Sequence, residues 1–476
     1  MNTRRMTASR KRQQEETNTP ANKRFKSSGV VAADVKAITD KRSSNKMVHQ
    51  PTKIYYTRLR RRNEEEEKQQ KLTDVNTDCL EQIFKRLSLT DLLNVADSNQ
   101  QLKPAVDLAF RSQFGKRSIK IDMERKIVGF SEKVTDSLTA EIPWSFRFKL
   151  LRCFGHLIAK LKITYVREPS QEDSKRAAHI DRYVNEYCAK SLVEIEFNFC
   201  QASTLDNLKK PFSTVETLCF VDCRLERKLS ELNKWFPKVR CLELLCVKEI
   251  LDCDETAVHF PDLEHLTLIL LFNEKKYFLE LLRLNPHLRI LFIGGNIDVQ
   301  CLQSVSEHLQ HLETLAICAL KHGNISNIGN DTVHFPNVKN LLLRGVVLQQ
   351  FPLTFDKLEY LDIKSIAMDQ TLANFISKHK KLIMLDYSGN KYGEKGSLLK
   401  VASPALVKVD FGHSAFPLDE VVTYMKKCTS LKKLSLGFDN EKDYKAVQNR
   451  LGKEWRGTNM KSIDDAIAVT MERQSI

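Results

Sequence analysis

No stretch of this 476-residue sequence stays apolar for long enough to cross a bilayer. The longest apolar run, Leu266 to Phe272, is interrupted by Thr267 and falls far short of the ~18–20 residues that a spanning helix needs. Residues 1–12 are basic without an apolar core, so no secretory signal is read there and a soluble, intracellular protein is expected. There are twelve cysteines but no Cys-x-x-Cys pair. Cys219 with Cys223, and Cys241 with Cys246, have no second half at zinc-site spacing. Without an export signal a disulfide framework is not expected either. Catalytic patterns are equally scarce. His308-x-x-His311 has no carboxylate at zinc-protease spacing, and Gly115-Lys116-Arg117-Ser118 lacks the upstream glycine of a phosphate loop. No catalytic site stands out, and no cofactor or metal is expected.

The net charge of +15 belongs almost entirely to one end. Residues 1–62 hold 17 Lys/Arg against 4 Asp/Glu, which leaves about +2 for everything after them. A nucleic-acid-binding reading based on the whole-chain isoelectric point therefore fails. Residues 1–70 have too few large apolar side chains to offset ordering entropy, and disorder is expected. Within them Lys11-Arg12 precedes Lys23-Arg24-Phe25-Lys26 by ten residues. Two basic clusters at that spacing resemble a bipartite nuclear localisation signal. The resemblance implies that Lys11, Arg12, Lys23, Arg24 and Lys26 engage a nuclear import receptor. The Arg58–Arg62 knot abuts Glu64–Glu67 and reads as a charged linker.

From about residue 150 the chain repeats an apolar-x-x-apolar-x-apolar unit. Copies start at Ile158, Leu192, Val215, Val239, Leu263, Leu288, Leu312, Val338, Leu358, Leu382, Leu406 and Leu431. Ten of the eleven intervals lie between 20 and 26 residues, inside the leucine-rich-repeat range. The long first interval marks a polar insertion around Arg167–Asp181, a loop or a helix. Each unit supplies a short strand with alternate residues turned inward. No unit buries its apolar face alone, so the units must stack. The ninth position is Cys200, Cys223, Asn296 or Asn390 in several copies, where Asn bonds neighbouring backbone and Cys is a small buried substitute. Helical signals fall between strands at residues 276–284, 299–309, 371–379 and 419–428. Phe236-Pro237, Phe260-Pro261 and Phe335-Pro336 break the return path before a new strand.

Ahead of the array, Leu80, Ile83, Phe84 and Leu87 share one helical stripe. Thr77 or Asp78 suits its N-cap, and Ser88 with Thr90-Asp91 starts a second helix carrying Leu92 and Leu93. A third apolar group follows at Leu102, Val106 and Phe110. The stretch Leu80-x-x-Ile83-Phe84-x-x-Leu87-x-x-x-Asp91-Leu92-Leu93 resembles an F-box over residues 72–114. That resemblance implies docking of a Skp-type adaptor, and through it a cullin, by Leu80, Ile83, Phe84, Leu87, Leu92 and Leu93. F-box followed by leucine-rich repeats resembles the substrate receptors of SCF ubiquitin ligases, which recruit a target protein for ubiquitination and degradation.

The expected fold class is an α/β solenoid: a leucine-rich-repeat horseshoe, strands concave, with a small all-α F-box domain before it and a disordered N-terminal tail. The expected boundaries are 1–70 for the basic tail, 71–118 for the F-box, 119–455 for the solenoid and 456–476 for a C-terminal tail. Target contacts are expected at outward positions of the strands. Leu245, Ile269, Ile290, Phe292 and Leu342 are apolar there; Tyr360, Asp362, Asp386 and Asp410 follow, the three carboxylates at 24-residue spacing. Lys364 and Lys408 sit on the same face and offer local neutralisation. Three partners are thus expected: the adaptor with its cullin, a target and an import receptor, in the nucleus, with cytoplasm as a second location. The alternative is a nuclear leucine-rich-repeat scaffold whose helices cap the solenoid. A nucleic-acid tether using the basic tail is the weakest reading.

Overall fold

The repeat becomes a sheet because its fourth and sixth residues are apolar in every copy and face one way. In the computed structural model the described residues are 75–131, 143–225, 231–247, 259–269, 275–295, 297–318, 332–345, 353–364, 370–388, 397–438, 440–463 and 466–474. They belong to one unit, Lys71–Ile476. Lys160–Thr164 pairs in parallel with Glu194–Asn198. The parallel ladder then runs strand by strand to Lys433–Phe438. Fourth-position residues are direct partners throughout: Leu218 faces Leu242, Leu266 faces Leu291, and Leu361 faces Leu385. They are fully buried, as are sixth-position Phe220, Leu244, Leu268 and Leu343. This is a leucine-rich-repeat solenoid, one strand per repeat.

Two signals shape the turns. The residue after five of the strands takes a left-handed conformation, at Phe199 (φ 58°), Asp222 (51°), Cys246 (55°), Gly295 (111°) and Gly345 (64°). The ninth residue then points inward. Cys200 and Cys223 are buried. The Cys223 thiol donates to Phe197 O at 3.2 Å and accepts from the Cys200 N–H at 3.3 Å, tying two repeats together. Asn296 and Asn390 lie outside the described residues. On the return path, the residue three before each repeat is often Phe. Phe212 stacks on Phe236 at 5.2 Å, and Phe335 on Phe355 at 5.5 Å. Where the series breaks, Asn285 stands in: its Oδ1 accepts from the Phe260 N–H at 2.9 Å. Phe236 is fully buried, so Phe236→Ala should lower unfolding free energy by about 3–5 kcal/mol in denaturant titration. A loss below 1 kcal/mol would show that the ring series is not part of the core.

The convex elements follow the sequence closely. Helices occupy Lys275–Leu284, Val299–His308, Gln370–Lys378 and Leu418–Lys427, each within a residue of its expected span. The polar insertion is a helix, Gln171–Tyr187, opened by a capping box in which Ser170 and Asp173 bond each other's backbone N–H. At one end of the sheet Ser118–Asp122 pairs with Lys160–Thr164 and with the antiparallel strand Ile127–Ser131. At the other end the described residues after 455 correct the expectation of a tail over 456–476. They complete a hairpin, Trp455–Ile463 with Ala466–Arg473, whose second strand pairs antiparallel with Lys433–Phe438. The hairpin covers the last repeat's open edge, and no repeat signature marks it in the sequence.

Ahead of the sheet, α1 (Thr77–Phe84), α2 (Leu89–Ser98) and α3 (Lys103–Phe114) pack together. The α1 cap is neither Thr77 nor Asp78. Asn76 holds that place, its Oδ1 accepting from the Asp78 N–H at 3.0 Å. Ser88 caps α2 as expected, accepting from the Asp91 N–H at 3.2 Å. The trio shares its core with the solenoid. Phe110 stacks on Phe154 of α4 (Trp144–Phe154) at 4.1 Å, and Asp97 on α2 bridges to Lys149 and Arg152 of α4 at 3.1 and 2.6 Å.

Candidate functional site

The six residues expected at an adaptor contact divide sharply. Leu80, Phe84, Leu92 and Leu93 are 4, 3, 0 and 1% exposed, so they are internal to the helical trio. Leu87 is half-buried against the same core. Ile83 alone stands out, at 50% exposed. The physical reason is the width of the stripe: α1 buries only its Leu80–Phe84 line, and Ile83 falls beyond the edge of that contact. Cys79, four residues earlier on the same helical face, is also exposed. Sequence reasoning passed over it because a small residue adds little to an apolar stripe. The outward surface of α1 thus offers Cys79 and Ile83, with Glu81 and Lys85 paired at 2.7 Å beside them.

The second surface is the solvent side of the sheet, and its register is what sequence alone lacked. Fifth-position residues line up directly across strands as Thr267, Phe292, Ala316, Leu342, Asp362, Asp386 and Asp410. Ile290 and Tyr360 stand in the third-position row, and Leu245 pairs with Ile269 in the seventh. Leu245, Ile269, Ile290, Phe292, Leu342, Tyr360, Asp386 and Asp410 are all half-buried, as expected of outward positions on a ribbed sheet. Asp362 differs, being 6% exposed.

The carboxylates are not equivalent. Lys364 lies between two of them, donating to Asp386 Oδ1 at 2.7 Å and standing 3.5 Å from Asp362 Oδ1. Burial raises the Asp386 pKa, but hydrogen bonds from Lys364 and Ser388 outweigh it and hold the group below its ordinary value. For Asp362 burial wins over the attraction of Lys364, with Asp386 adding repulsion, and its pKa is raised. Burial, and then Asp362 and Asp386, also raise the pKa of the Tyr360 phenol. Asp410 Oδ1 accepts from the Gly412 N–H at 2.8 Å. Lys364 therefore neutralises part of the ladder, whereas Lys408 forms no ion pair among the described residues.

Two further constellations went unread in the sequence. Second-position residues alternate in sign as Glu216, Arg240, Glu264, Arg289, Glu313, Lys339 and Glu359, each N–H bonded to the preceding member's carbonyl. Arg240 meets Glu264 at 2.7 Å and Arg289 meets Glu313 at 2.8 Å, along an open groove of about 390 Å³. The alternation was legible at repeat spacing. Exposed pairs of this kind contribute little stability each, ~0–1 kcal/mol, but they disfavour a register slip that would bring like charges together. The other is centred on a buried carboxylate: Tyr165 OH donates to Asp181 Oδ1 at 2.6 Å and half-buried Asn207 donates from Nδ2 to Asp181 Oδ2 at 3.1 Å. Burial outweighs those bonds and lifts the Asp181 pKa to about 7. Among the described residues no cluster of His, Cys, Asp or Glu could hold a metal ion, and no helix is long and apolar enough to cross a membrane. Lys11, Arg12, Lys23, Arg24 and Lys26 lie outside the described residues.

No family model matches the chain, and no curated protein matches it. Among solved structures, the crystal structure of an internalin from Listeria monocytogenes superimposes with a TM-score of 0.32 and 11% sequence identity. The match covers 75% of this chain and 90% of that one. At this overlap the internalin adds nothing to what the strand ladder already shows.

Proposed function

We propose that the protein is the substrate-receptor subunit of an SCF-type ubiquitin ligase, holding a Skp-type adaptor and its cullin through α1–α3 and a target through the exposed face of the sheet. The observation that carries this reading is the division within the F-box-like stripe. Leu80, Phe84, Leu92 and Leu93 make a core, while Ile83 is left as a large apolar side chain facing solvent on α1, in a helical trio whose third helix stacks on α4 through Phe110 and Phe154. The receptor itself does no chemistry in this scheme. It brings the target's lysines near a ligase-bound ubiquitin, so that transfer gains from proximity. Capture of the full chain from cells with the proteasome blocked, against a form lacking residues 72–114, is the test. Adaptor and cullin should be present with the full chain and absent with the deletion. A nuclear scaffold without ligase function draws support from one feature, the Phe110–Phe154 stacking that makes the helical trio a cap on the sheet. Adaptor absent from the full-chain capture would favour that scaffold.

Nuclear import through the two basic clusters belongs to the same reading. A fluorescent fusion of residues 1–40 should concentrate in the nucleus. Alanine at Lys11 and Arg12, or at Lys23, Arg24 and Lys26, should each abolish that accumulation, since binding energy is divided between two clusters. Nuclear signal that persists in both variants would remove the import assignment.

A further inference from the structure

We infer that the exposed face of the sheet binds an extended target segment bearing two apolar side chains and, a few residues beyond them, a lysine or arginine. This rests on the target-receptor reading and adds the chemistry of what is bound. The fifth-position row changes character in one step. Phe292, Ala316 and Leu342 are consecutive in register, and Ala316 is only 1% exposed, so the two larger side chains close over it as one apolar ridge. The next three members are Asp362, Asp386 and Asp410. Like charges at strand spacing repel unless a cation intervenes.

Among the described residues the local cations fall short of that need. Lys364 serves Asp386 directly and stands 3.5 Å from Asp362, whose side chain is 9% exposed and whose Oδ1 accepts no hydrogen bond. Among the described residues no cation lies within ion-pair distance of Asp410. Lys408 and Arg344 occupy neighbouring rows and form no ion pair with any of the three. A second cation from outside would complete the row, and the adjoining ridge says what should accompany it.

The register also sets the spacing. Strands lie about 4.8 Å apart, and a segment in the extended polyproline II conformation advances about 3.1 Å per residue with every third side chain on the same face. Phe292 and Leu342 are two strands apart, about 10 Å, which matches side chains three residues apart on one face of such a segment crossing the strands. From Leu342 to the midpoint of Asp386 and Asp410 is about 12 Å, or three to four residues. The motif is therefore apolar-x-x-apolar followed by a basic residue three or four positions on, read in either chain direction.

A displayed library of random peptides selected on the purified full chain tests this. The expected result is enrichment of that motif. Affinity should fall about tenfold when the peptide's basic residue becomes Gln, and by a similar factor with Asp386→Asn/Asp410→Asn protein, at low salt. Glu172→Gln, on the remote polar helix, should change nothing. Should the double Asn variant melt early, the peptide substitution against unaltered protein decides alone. Absence of any enrichment, enrichment of acidic or uncharged peptides, or affinity indifferent to the peptide's charge overturns the inference. Adaptor capture by the same preparation reports separately on the receptor reading, so the two failures are distinguishable.

Discussion

An Ile83→Asp variant is expected to melt with the parent protein yet capture no Skp-type adaptor. Half of the Ile83 surface is already in water, so its replacement removes little internal packing. In a bound state the exposed half would be covered, which contributes about half of the ~1.5–3 kcal/mol gained by fully burying a side chain of this size. An unpaired carboxylate in its place adds a desolvation cost of its own. The combined loss is about 3 kcal/mol or more, at least a hundredfold in affinity. Phe84→Ala makes the contrast. At 3% exposed, Phe84 should cost about 3–5 kcal/mol of stability when truncated, and capture would then fail because α1–α3 loosen. Pull-down and thermal melting on both variants separate the two causes. Full adaptor capture by a well-folded Ile83→Asp protein would refute docking through this face.

Ile83 and Phe84 also show where sequence reading succeeds and stops. Periodicity placed both on one stripe of α1, correctly, but a stripe has edges, and which residue lies beyond the edge depends on how far α3 wraps around α1. The solenoid was more legible because its evidence is repeated: the inward fourth and sixth positions recur in every unit. Outward rows were harder. Asp362, Asp386 and Asp410 could be aligned by their 24-residue spacing, but not the burial that sets Asp362 apart from the other two. The hairpin at residues 455–473 is built from sequence without a repeat and is used once, as a cover for an edge, so nothing in the pattern announced it. Asp181 lies in a polar segment, between Ile180 and Arg182. Only the docking of that helix over Tyr165 and Asn207 makes it an interior residue.

That interior position makes the protein's stability respond to pH near neutrality, in the direction opposite to an ordinary ion-paired carboxylate. Asp181 has a folded pKa of about 7, against an unfolded value near 3.9. Between those two values the native state keeps a proton that the unfolded chain releases. Stability therefore falls as pH rises from about 4 to about 7, and above 7 the native state carries the full cost of a buried carboxylate. The group is 3% exposed, so solvent screening does little to discount that cost. Asp181→Asn keeps a carbonyl oxygen for the Tyr165 hydroxyl and cannot ionise. Asn207 can then turn its amide to accept from the new N–H. Other carboxylates titrate alike in both proteins and cancel in the difference. The variant's advantage over the parent should accordingly widen by about 2–3 kcal/mol between pH 5 and pH 8. Denaturant titrations at those two pH values measure it directly. Curves that stay parallel across the interval would mean that Asp181 is already ionised in the native state at pH 5, and that Tyr165 and Asn207 stabilise its charge more fully than their distances imply.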